Sequence, residues 1–340
     1  MATEKIKRMH FVDALRGLTM FLVVYHHVVL KCYSNMTLLE KALQSFRMPV
    51  FFFVSGFVAY KALDFWTGRN TAQRLANKFR VQVIPTVIFY CLYFFIIRSI
   101  NPFQLFLQYG WRQYWFTFVL FEFFVLYFTA NFLTRHSNRL NIGLLVALAA
   151  GGVTIYHGFE KSGNLCTWFA VSAVTCYFPF FVSGTLARRY FDFLRRLFDK
   201  WWVLLLVCLL FLVQVPMLDN LYNVPQRIAN FFSIWSIRFT GMLMMFGLFL
   251  HFRDRFTLDG RCTRCMTFVG RRTLDIYLMH FFFVAYVPIA YRFIRDCGFA
   301  EYGRPILLIV AAAIVAGCLL VSALLRKWKW LGRLLFATKY

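Results

Sequence analysis

Charged residues are scarce in this sequence. Lysine, arginine, aspartate and glutamate together make up 15% of its 340 residues, and only 14 residues are acidic. Hydrophobic residues make up 61%, the chain contains 44 phenylalanines, and the mean hydropathy is +0.61. A typical soluble domain has about 25% charged residues, so this composition excludes that class. The long apolar runs instead predict an all-α, polytopic integral membrane protein.

Other features are missing too, and each absence narrows the possibilities. The first apolar run lacks the small-residue cleavage site of a signal peptide, so we expect it to remain as a membrane helix. No internal repeat is visible, which gives no support to the inverted repeats common in secondary transporters. Cys262 and Cys265 form a Cys-x-x-Cys pair without a second pair nearby, so no zinc site or other metal site is predicted.

A membrane-spanning helix needs about 20 mostly apolar residues. Ten segments meet this requirement, and we predict that they form one bundle, a single membrane domain over residues 1–340. A basic, aromatic tail at 326–340 is expected to lie at the inner membrane interface. The ten predicted helices run over about 11–30, 45–63, 82–100, 113–134, 140–156, 166–187, 202–218, 230–250, 268–291 and 305–325.

The distribution of basic residues predicts the orientation of this bundle. With the N-terminus inside, the inside segments carry 25 Lys and Arg and the outside segments carry 9, which is the bias expected of cytoplasmic loops. Both termini are therefore predicted to be cytoplasmic. Because the net charge of +24 is spread over short loops in this way, no nucleic-acid partner is predicted. The expected partner is the lipid bilayer, and the sequence does not indicate an oligomeric state.

The first predicted helix carries ionisable residues that an apolar span does not need. Its stretch DALRGLTMFLVVYHH begins at Asp13 and contains Arg16 and two adjacent histidines. Arg16 and His27 are eleven residues apart, so they share a helical face and are separated by roughly 16 Å along the axis. His26 points about 100° away from His27. Asp13 is three residues before Arg16, so the two can pair.

Ionisable groups within a membrane mark a functional site by default. We interpret Arg16 and His27 as the two ends of a site for an elongated anionic ligand, with His27 suited to proton transfer near neutral pH. In the alternative interpretation, Arg16 reaches the lipid headgroups and the histidines form hydrogen bonds between helices. The spacing alone leaves both interpretations open.

More polar residues recur in the other apolar segments. An apolar bundle has no packing reason to collect them, so together with Asp13 they predict a polar cavity or acceptor site. At the inner face, Lys78 and Arg80 precede Pro85, where they either bind phosphates or simply follow the inside bias. The residues predicted for the cavity are Arg47, Ser55, Trp115, Glu122, Arg238, Tyr277 and His280.

An ordered set of short motifs covers nearly the whole chain. These are DALRG followed by His27, FRMPVFFFVSGF, the basic stretch before Pro85, YWFTFVLFE and GRRTLDIYLMH. In this order they resemble the membrane-bound acyltransferase family 3. The resemblance implies a ten-helix domain that takes an acyl group, often acetyl, from cytoplasmic acyl-CoA. It also implies delivery of that group to a hydroxyl of a sugar, glycan or other acceptor, often at the outer face.

The resemblance further implies roles for individual residues. Arg16 and His27 match the essential pair of the family, in which Arg16 helps to place CoA and His27 is a general base or a transient acyl carrier. Lys78 and Arg80 stand approximately where the family has a basic pair, which implies binding of the CoA phosphates. The reaction also requires these groups, because an acyl thioester needs a base or nucleophile and CoA needs positive charge.

The sequence therefore predicts an acyl-CoA-dependent O-acyltransferase of the bacterial cytoplasmic membrane. Acetyl-CoA is the expected co-substrate, no tightly bound cofactor is expected, and the acceptor is a sugar, glycan or glycolipid. A transporter or flippase for a lipid-linked glycan is the alternative, since it also needs a polar cavity through a helix bundle. A scaffolding protein would not need His27 within the bundle.

Overall fold

The computed structural model describes residues 9–158, 169–220, 227–257, 260–296 and 303–336, and within these ranges the chain is helical with no strand. The all-α membrane fold predicted from composition is confirmed. The helices are α1 His10–Cys32, α2 Leu38–Ala59, α3 Gly68–Lys78, α4 Ile84–Leu92, α5 Pro102–Tyr109, α6 Trp115–Leu133, α7 Asn138–Gly158, α8 Val171–Arg189, α9 Phe191–Phe198, α10 Trp201–Gln214, α11 Met217–Asn220, α12 Arg227–His251, α13 Arg261–Arg271, α14 Thr273–Val284, α15 Val287–Asp296, α16 Gly303–Leu325 and α17 Lys329–Phe336.

Seven helical spans in the described part of the chain are long and apolar enough to cross a membrane, and one bent pair would make eight. Each of the ten predicted segments contains a helix, but those predicted at 140–156 and 166–187 are not among the seven. Ten crossings with cytoplasmic termini therefore stay a prediction. Residues 1–8, 159–168, 221–226, 258–259, 297–302 and 337–340 of the predicted domain lie outside the described residues, and they include 166–168 of the sixth predicted helix and 337–340 of the tail.

The third predicted helix, 82–100, begins much earlier than predicted. The α3 helix starts at Gly68 and runs through a wide π-helical turn, Phe79–Val83, into α4. Pro85 lacks a backbone N–H and its ring would clash with a carbonyl one turn earlier, and the wider turn accommodates it. Hydropathy missed α3 because its residues are mostly polar, yet this helix carries Lys78 into the bundle.

The ninth predicted helix, 268–291, is broken into three helices. The α13 helix ends at Arg271, α14 begins at Thr273, and α14 and α15 are bent by 54° relative to each other. Pro288 lies in the first turn of α15, where its missing N–H is tolerated, so it fits a new helix start rather than a helix interior. The first break places the start of α14 beside α1.

The α1 helix lies at the centre of the bundle, in contact with α2, α12, α13, α14, α15 and α16. It crosses α13 at very short range through two glycines. A Cβ atom on Gly17 would lie 2.1 Å from the carbonyl oxygen of Met266, and one on Gly270 would lie 1.7 Å from that of Asp13. Only glycine permits this approach. The crossing brings Asp13 and Arg16 next to the start of α14.

The α2 helix crosses α8 in a similar way, with Gly56 and Gly184 at the contact. It begins with a capping box in which the Thr37 side chain accepts from the backbone of Glu40, and the Glu40 carboxylate accepts from the backbone of Thr37. At the other end of the chain, Phe336 of α17 is buried and lies under the guanidinium of Arg326. The tail helix thus closes one side of the bundle.

Candidate functional site

Among the cavities of the described bundle, two polar ones lie side by side. The larger one, which we call the Arg16 cavity, has a volume of about 330 Å³ and is bounded mainly by α1, α2, α6 and α14. The smaller one, which we call the Arg47 cavity, has a volume of about 140 Å³ and lies between α2, α6, α8 and α12. Met48 lines both cavities, and the neighbours Trp115 and Phe116 line one each. The two cavities therefore share a thin wall.

The Arg16 cavity is strongly basic. Arg16, Lys78, Arg271 and Arg326 line it, and Asp275 is the acidic residue among its described lining residues. Arg16 donates from Nη2 to Oγ1 of Thr273 at 2.9 Å. This excess of positive charge, supplied mostly by arginines with their forked donors, suits a phosphorylated ligand.

Two buried carboxylates fix the positions of these cations. Asp13 is 6% exposed and forms an ion pair with Arg271, with 3.3 Å between Oδ2 and Nε. Asp275 is 3% exposed and accepts from Arg326 at 2.7 Å and from the hydroxyl of Ser322 at 2.5 Å. The cations at this end of the bundle are therefore held in place before any ligand arrives.

One strip of α1 leads along the Arg16 cavity toward His27. Arg16, Met20 and Val23 line the cavity, and His27 is the next residue on the same face, one turn beyond Val23. The His27 ring is half-buried, and its centre lies 5.0 Å from that of the Phe281 ring. It lines neither cavity. His27 thus lies one turn past the residues that line the cavity.

His280 packs against His27, with 5.3 Å between the ring centres. It is fully buried, and its Nδ1 lies 2.7 Å from the carbonyl oxygen of Tyr277. A carbonyl only accepts, so Nδ1 carries the hydrogen and Nε2 carries the lone pair. This Nε2 has no hydrogen-bond partner among the described residues. The His280 ring, which contacts His27, therefore has a nitrogen that is free to accept a hydrogen bond.

His26 faces a different part of the bundle. It is 7% exposed and lines a small pocket of about 10 Å³ together with Tyr25, Glu40 and Arg47. The two adjacent histidines thus differ in direction although they lie at the same depth, as helix geometry requires.

The Arg47 cavity combines cations with aromatic rings. Lys41, Arg47 and Arg238 line it, and none of its described lining residues is acidic. The rings of Trp115 and Tyr177 are close to parallel, at 26° with 5.7 Å between centres. Arg238 donates from Nη1 to the sulfur of Cys176 at 3.0 Å, and its guanidinium lies over the Tyr177 ring.

The other predicted site residues divide into two groups. Ser55 and Tyr277 line the Arg16 cavity. Glu122 lines neither cavity: it is half-buried, and its Oε2 has no hydrogen-bond partner among the described residues. Arg80 is exposed and also lines neither cavity, because two residues along a helix carry a side chain to nearly the opposite side from Lys78.

The structure adds residues that were not among the predicted site residues. Arg271 and Thr273 stand in the GRRTLDIYLMH motif, so the motif itself was the signal for them. Arg326 was counted with the basic tail, and Tyr177 is one aromatic residue among many, so neither carried a signal. Within the described ranges, no group of three or more His, Cys, Asp or Glu residues is arranged to hold a metal ion.

Comparison with known proteins identifies the family. A family model described as an acyltransferase domain, that of acyltransferase family 3, matches residues 9–334, which is nearly the whole chain. No curated protein and no solved structure matches the chain. The match supports an enzyme and gives no support to the flippase alternative. The chain belongs to acyltransferase family 3, and the protein is a membrane acyltransferase.

Proposed function

We propose that this acyltransferase uses acyl-CoA, with acetyl-CoA as the first donor to test, and delivers the acyl group to a hydroxyl of a sugar or glycan. Acyl-CoA is a co-substrate that binds in the Arg16 cavity, and no tightly bound cofactor takes part. The acceptor enters through the Arg47 cavity. The observation that carries the proposal is the strip of α1 on which Arg16 and Val23 line the basic cavity and His27 follows one turn later.

The properties of the Arg16 cavity support its role as the donor site. Its volume of about 330 Å³ is at the lower end of the roughly 300–1,000 Å³ of small-molecule pockets. It therefore suits the thin pantetheine arm, with the CoA phosphates at the basic end near Arg16, Lys78 and Arg271. The separation of Arg16 and His27, roughly 16 Å along α1, is comparable with that extended arm. Arg80 contributes if the nucleotide extends beyond the cavity.

The reaction then takes place at His27. In one route, His27 accepts the proton of the acceptor hydroxyl, whose oxygen attacks the thioester carbonyl. The C–S bond breaks, and the proton passes to the departing CoA thiolate, so that an ester and CoA result. In the second route, a neutral His27 nitrogen attacks the thioester carbonyl, the C–S bond breaks, and CoA leaves as a thiolate. The acceptor hydroxyl then attacks the acyl group on the imidazole, the C–N bond breaks, and the hydroxyl proton passes to the CoA thiolate, so that an ester, CoA and neutral His27 result. Both routes need His27 at the thioester.

The two cavities also support the direction of transfer. With the predicted orientation, the Arg16 cavity lies toward the cytoplasm, where acyl-CoA is made, and the Arg47 cavity lies toward the outer face. This arrangement suits an enzyme of the bacterial cytoplasmic membrane that modifies a surface glycan or glycolipid. Mass spectrometry of surface glycans and lipids, with and without the protein, tests this by looking for a lost acyl mass.

The two histidines provide a matched test of the chemistry. Purified protein in lipid nanodiscs is given acetyl-CoA labelled in the acetyl group, and donor binding, release of CoA and transfer to extracted surface glycans are measured. His27→Ala should lower transfer by about 10²–10⁴-fold while acetyl-CoA still binds. His26→Ala should have a much smaller effect. An active His27→Ala enzyme would disprove the role of His27, and a wild-type protein that does not bind acetyl-CoA would disprove the donor.

A further inference from the structure

We infer that the Arg47 cavity recognises its ligand by negative charge, so that the acceptor is an anionic sugar, carrying a carboxylate or a phosphate, and not a neutral one. The role of this ligand as acceptor rests on the function proposed above. Its binding, however, is a property of the cavity and is measured without the reaction. Three observations carry the inference: the state of Arg47, the charges around it, and the aromatic rings that line the same cavity.

Arg47 is a buried cation whose donors are not satisfied. It lies in the middle of α2 and is only 8% exposed. Its Nε and Nη1 atoms are buried and have no hydrogen-bond partner among the described residues. Burying an unpaired charge is unfavourable, and such charges are normally paired or solvated. An arginine that served only to contact lipid headgroups would be expected to expose its guanidinium. The geometry of Arg47 instead suits an anion that enters the cavity.

The surroundings leave the charge of Arg47 uncompensated. Arg238 adds further positive charge to the cavity, and its described lining includes no acid. Two carboxylates lie beside the cavity, but neither pairs with Arg47 among the described contacts. Asp219 pairs with Lys41 at 2.6 Å and so offsets the charge of that lysine only. Glu40 accepts from the backbone N–H of Thr37 and forms an ion pair with Arg304. The cavity is therefore positive, and the missing partner of Arg47 is an anion.

The aromatic wall and the volume indicate what else the ligand contains. Trp115 and Tyr177 stack on each other and both line the cavity, so they form an aromatic wall against which the C–H groups of a sugar ring can pack. Gln44 adds a neutral side chain that can hydrogen-bond to hydroxyls. The volume of about 140 Å³ is close to the roughly 150 Å³ cavity that holds a benzene ring in an engineered protein. The cavity thus has room for about one six-membered ring.

A binding experiment tests this inference directly. Wild-type protein in nanodiscs is saturated with CoA to occupy the Arg16 cavity, and D-glucose, D-glucuronate and D-glucose 6-phosphate are titrated in calorimetrically. At least one of the two anionic sugars should bind about tenfold or more tightly than glucose, as expected for hydrogen bonds to a charged group. The better of the two identifies a carboxylate or a phosphate as the preferred charge. Equal affinities for all three sugars, or no binding of any, would overturn the inference.

Variants locate the preference at Arg47. Arg47→Gln should abolish the preference for the anionic sugar, and Arg47→Lys, which keeps the charge but loses the forked donors, should retain only part of it. Arg112→Gln is the matched control, because Arg112 is an exposed cation that lines neither cavity, and it should keep the full preference. If Arg47→Gln does not fold, Arg47→Lys decides alone. An unchanged preference in either Arg47 variant would overturn the inference.

The same samples separate this inference from the proposed function. Acetyl-CoA binding by the wild-type protein is measured in parallel with the sugar titrations. If acetyl-CoA binds and no charge preference is found, the inference about the acceptor fails and the donor site stands. If an anionic sugar binds through Arg47 but acetyl-CoA does not bind, the charge preference of the cavity stands and the proposed donor fails.

Discussion

The two cavities share a wall and are both basic, but they differ in whether their main arginines have hydrogen-bond or ion-pair partners. In the Arg16 cavity, Arg271 is paired with Asp13 and Arg326 with Asp275, and Arg16 donates to Thr273. In the Arg47 cavity, the central arginine has two buried nitrogens without a hydrogen-bond partner among the described residues.

This difference indicates two ways of preparing a site for an anion. Paired cations are held in place by the fold, so a ligand meets an arrangement that needs little reorganisation, and the same pairs stabilise the bundle. An unpaired buried cation costs stability in the free protein and is relieved only when its ligand binds. Substitutions in the first cavity should therefore weaken the fold and donor binding, whereas substitutions at Arg47 should affect acceptor binding.

The largest effect on stability is expected at Asp275. Asp275→Asn keeps the shape of the side chain but removes the charge that Arg326 faces inside the bundle. Losing one partner of a fully buried pair costs about 3–5 kcal/mol. Arg326 is still 23% exposed, so we expect a loss of about 2–3 kcal/mol in the free energy of unfolding. Asp199→Asn, where the carboxylate paired with Arg253 is 41% exposed, should cost less than about 1 kcal/mol. Equal losses would show that burial does not distinguish these pairs.

The next effect concerns donor binding at Arg16. Arg16→Ala removes the arginine at the start of the α1 strip and should weaken acetyl-CoA binding by about 10–100-fold, as expected for hydrogen bonds to phosphate. Equilibrium binding of labelled acetyl-CoA in nanodiscs measures this. Arg80→Ala should have a smaller effect, since an exposed charge is screened by water and salt. An unchanged affinity in Arg16→Ala would remove Arg16 from the donor site.

Part of this architecture follows from the sequence because it depends on local patterns. Apolar runs predict membrane helices, and helical geometry alone places Arg16 and His27 on one face and His26 on another. Helical geometry alone did not place Arg80 outside the cavity, since its direction depends on a π-helical turn and on which side of the helix faces the bundle, and its part in donor binding stays a prediction.

Contacts between distant helices were not predictable in this way. Arg326 reaches Asp275 because the last long helix packs against α14, and Tyr177 faces Trp115 because α2, α6 and α8 meet. The crossing of Gly17 and Gly270 sets where Arg16 lies relative to Thr273. None of these arrangements leaves a periodic pattern in the sequence, since each depends on how side chains far apart in the chain pack together.

A smaller effect is expected at His280, which we regard as a positioning residue because it contacts His27 and not a cavity. His280→Ala should lower kcat about tenfold with the KM for acetyl-CoA unchanged, since the acceptor nitrogen that can orient His27 is lost. His280→Gln, which keeps an acceptor, should recover part of the rate. His251→Ala is the control, because His251 makes a similar 2.7 Å contact with a carbonyl, that of Phe198, but its ring packs against Phe252 and not against His27. A rise in KM alone would contradict a positioning role.

The smallest effect on stability is expected at Arg47. Whether Arg47→Met raises or lowers stability is the most direct test of the difference between the two cavities. Arg47→Met replaces an unpaired buried cation with an apolar side chain of similar length, so the free protein should become more stable by about 1 kcal/mol. Arg304→Met makes the matched change at an arginine that is paired with Glu40, and it should lower stability instead. Thermal unfolding of both variants in the same detergent, without added sugar, measures the two signs. If Arg47→Met also lowers stability, Arg47 supports the fold and is not a cation kept for a ligand. If the signs are opposite, the stability gained by Arg47→Met should come with loss of the preference for an anionic sugar.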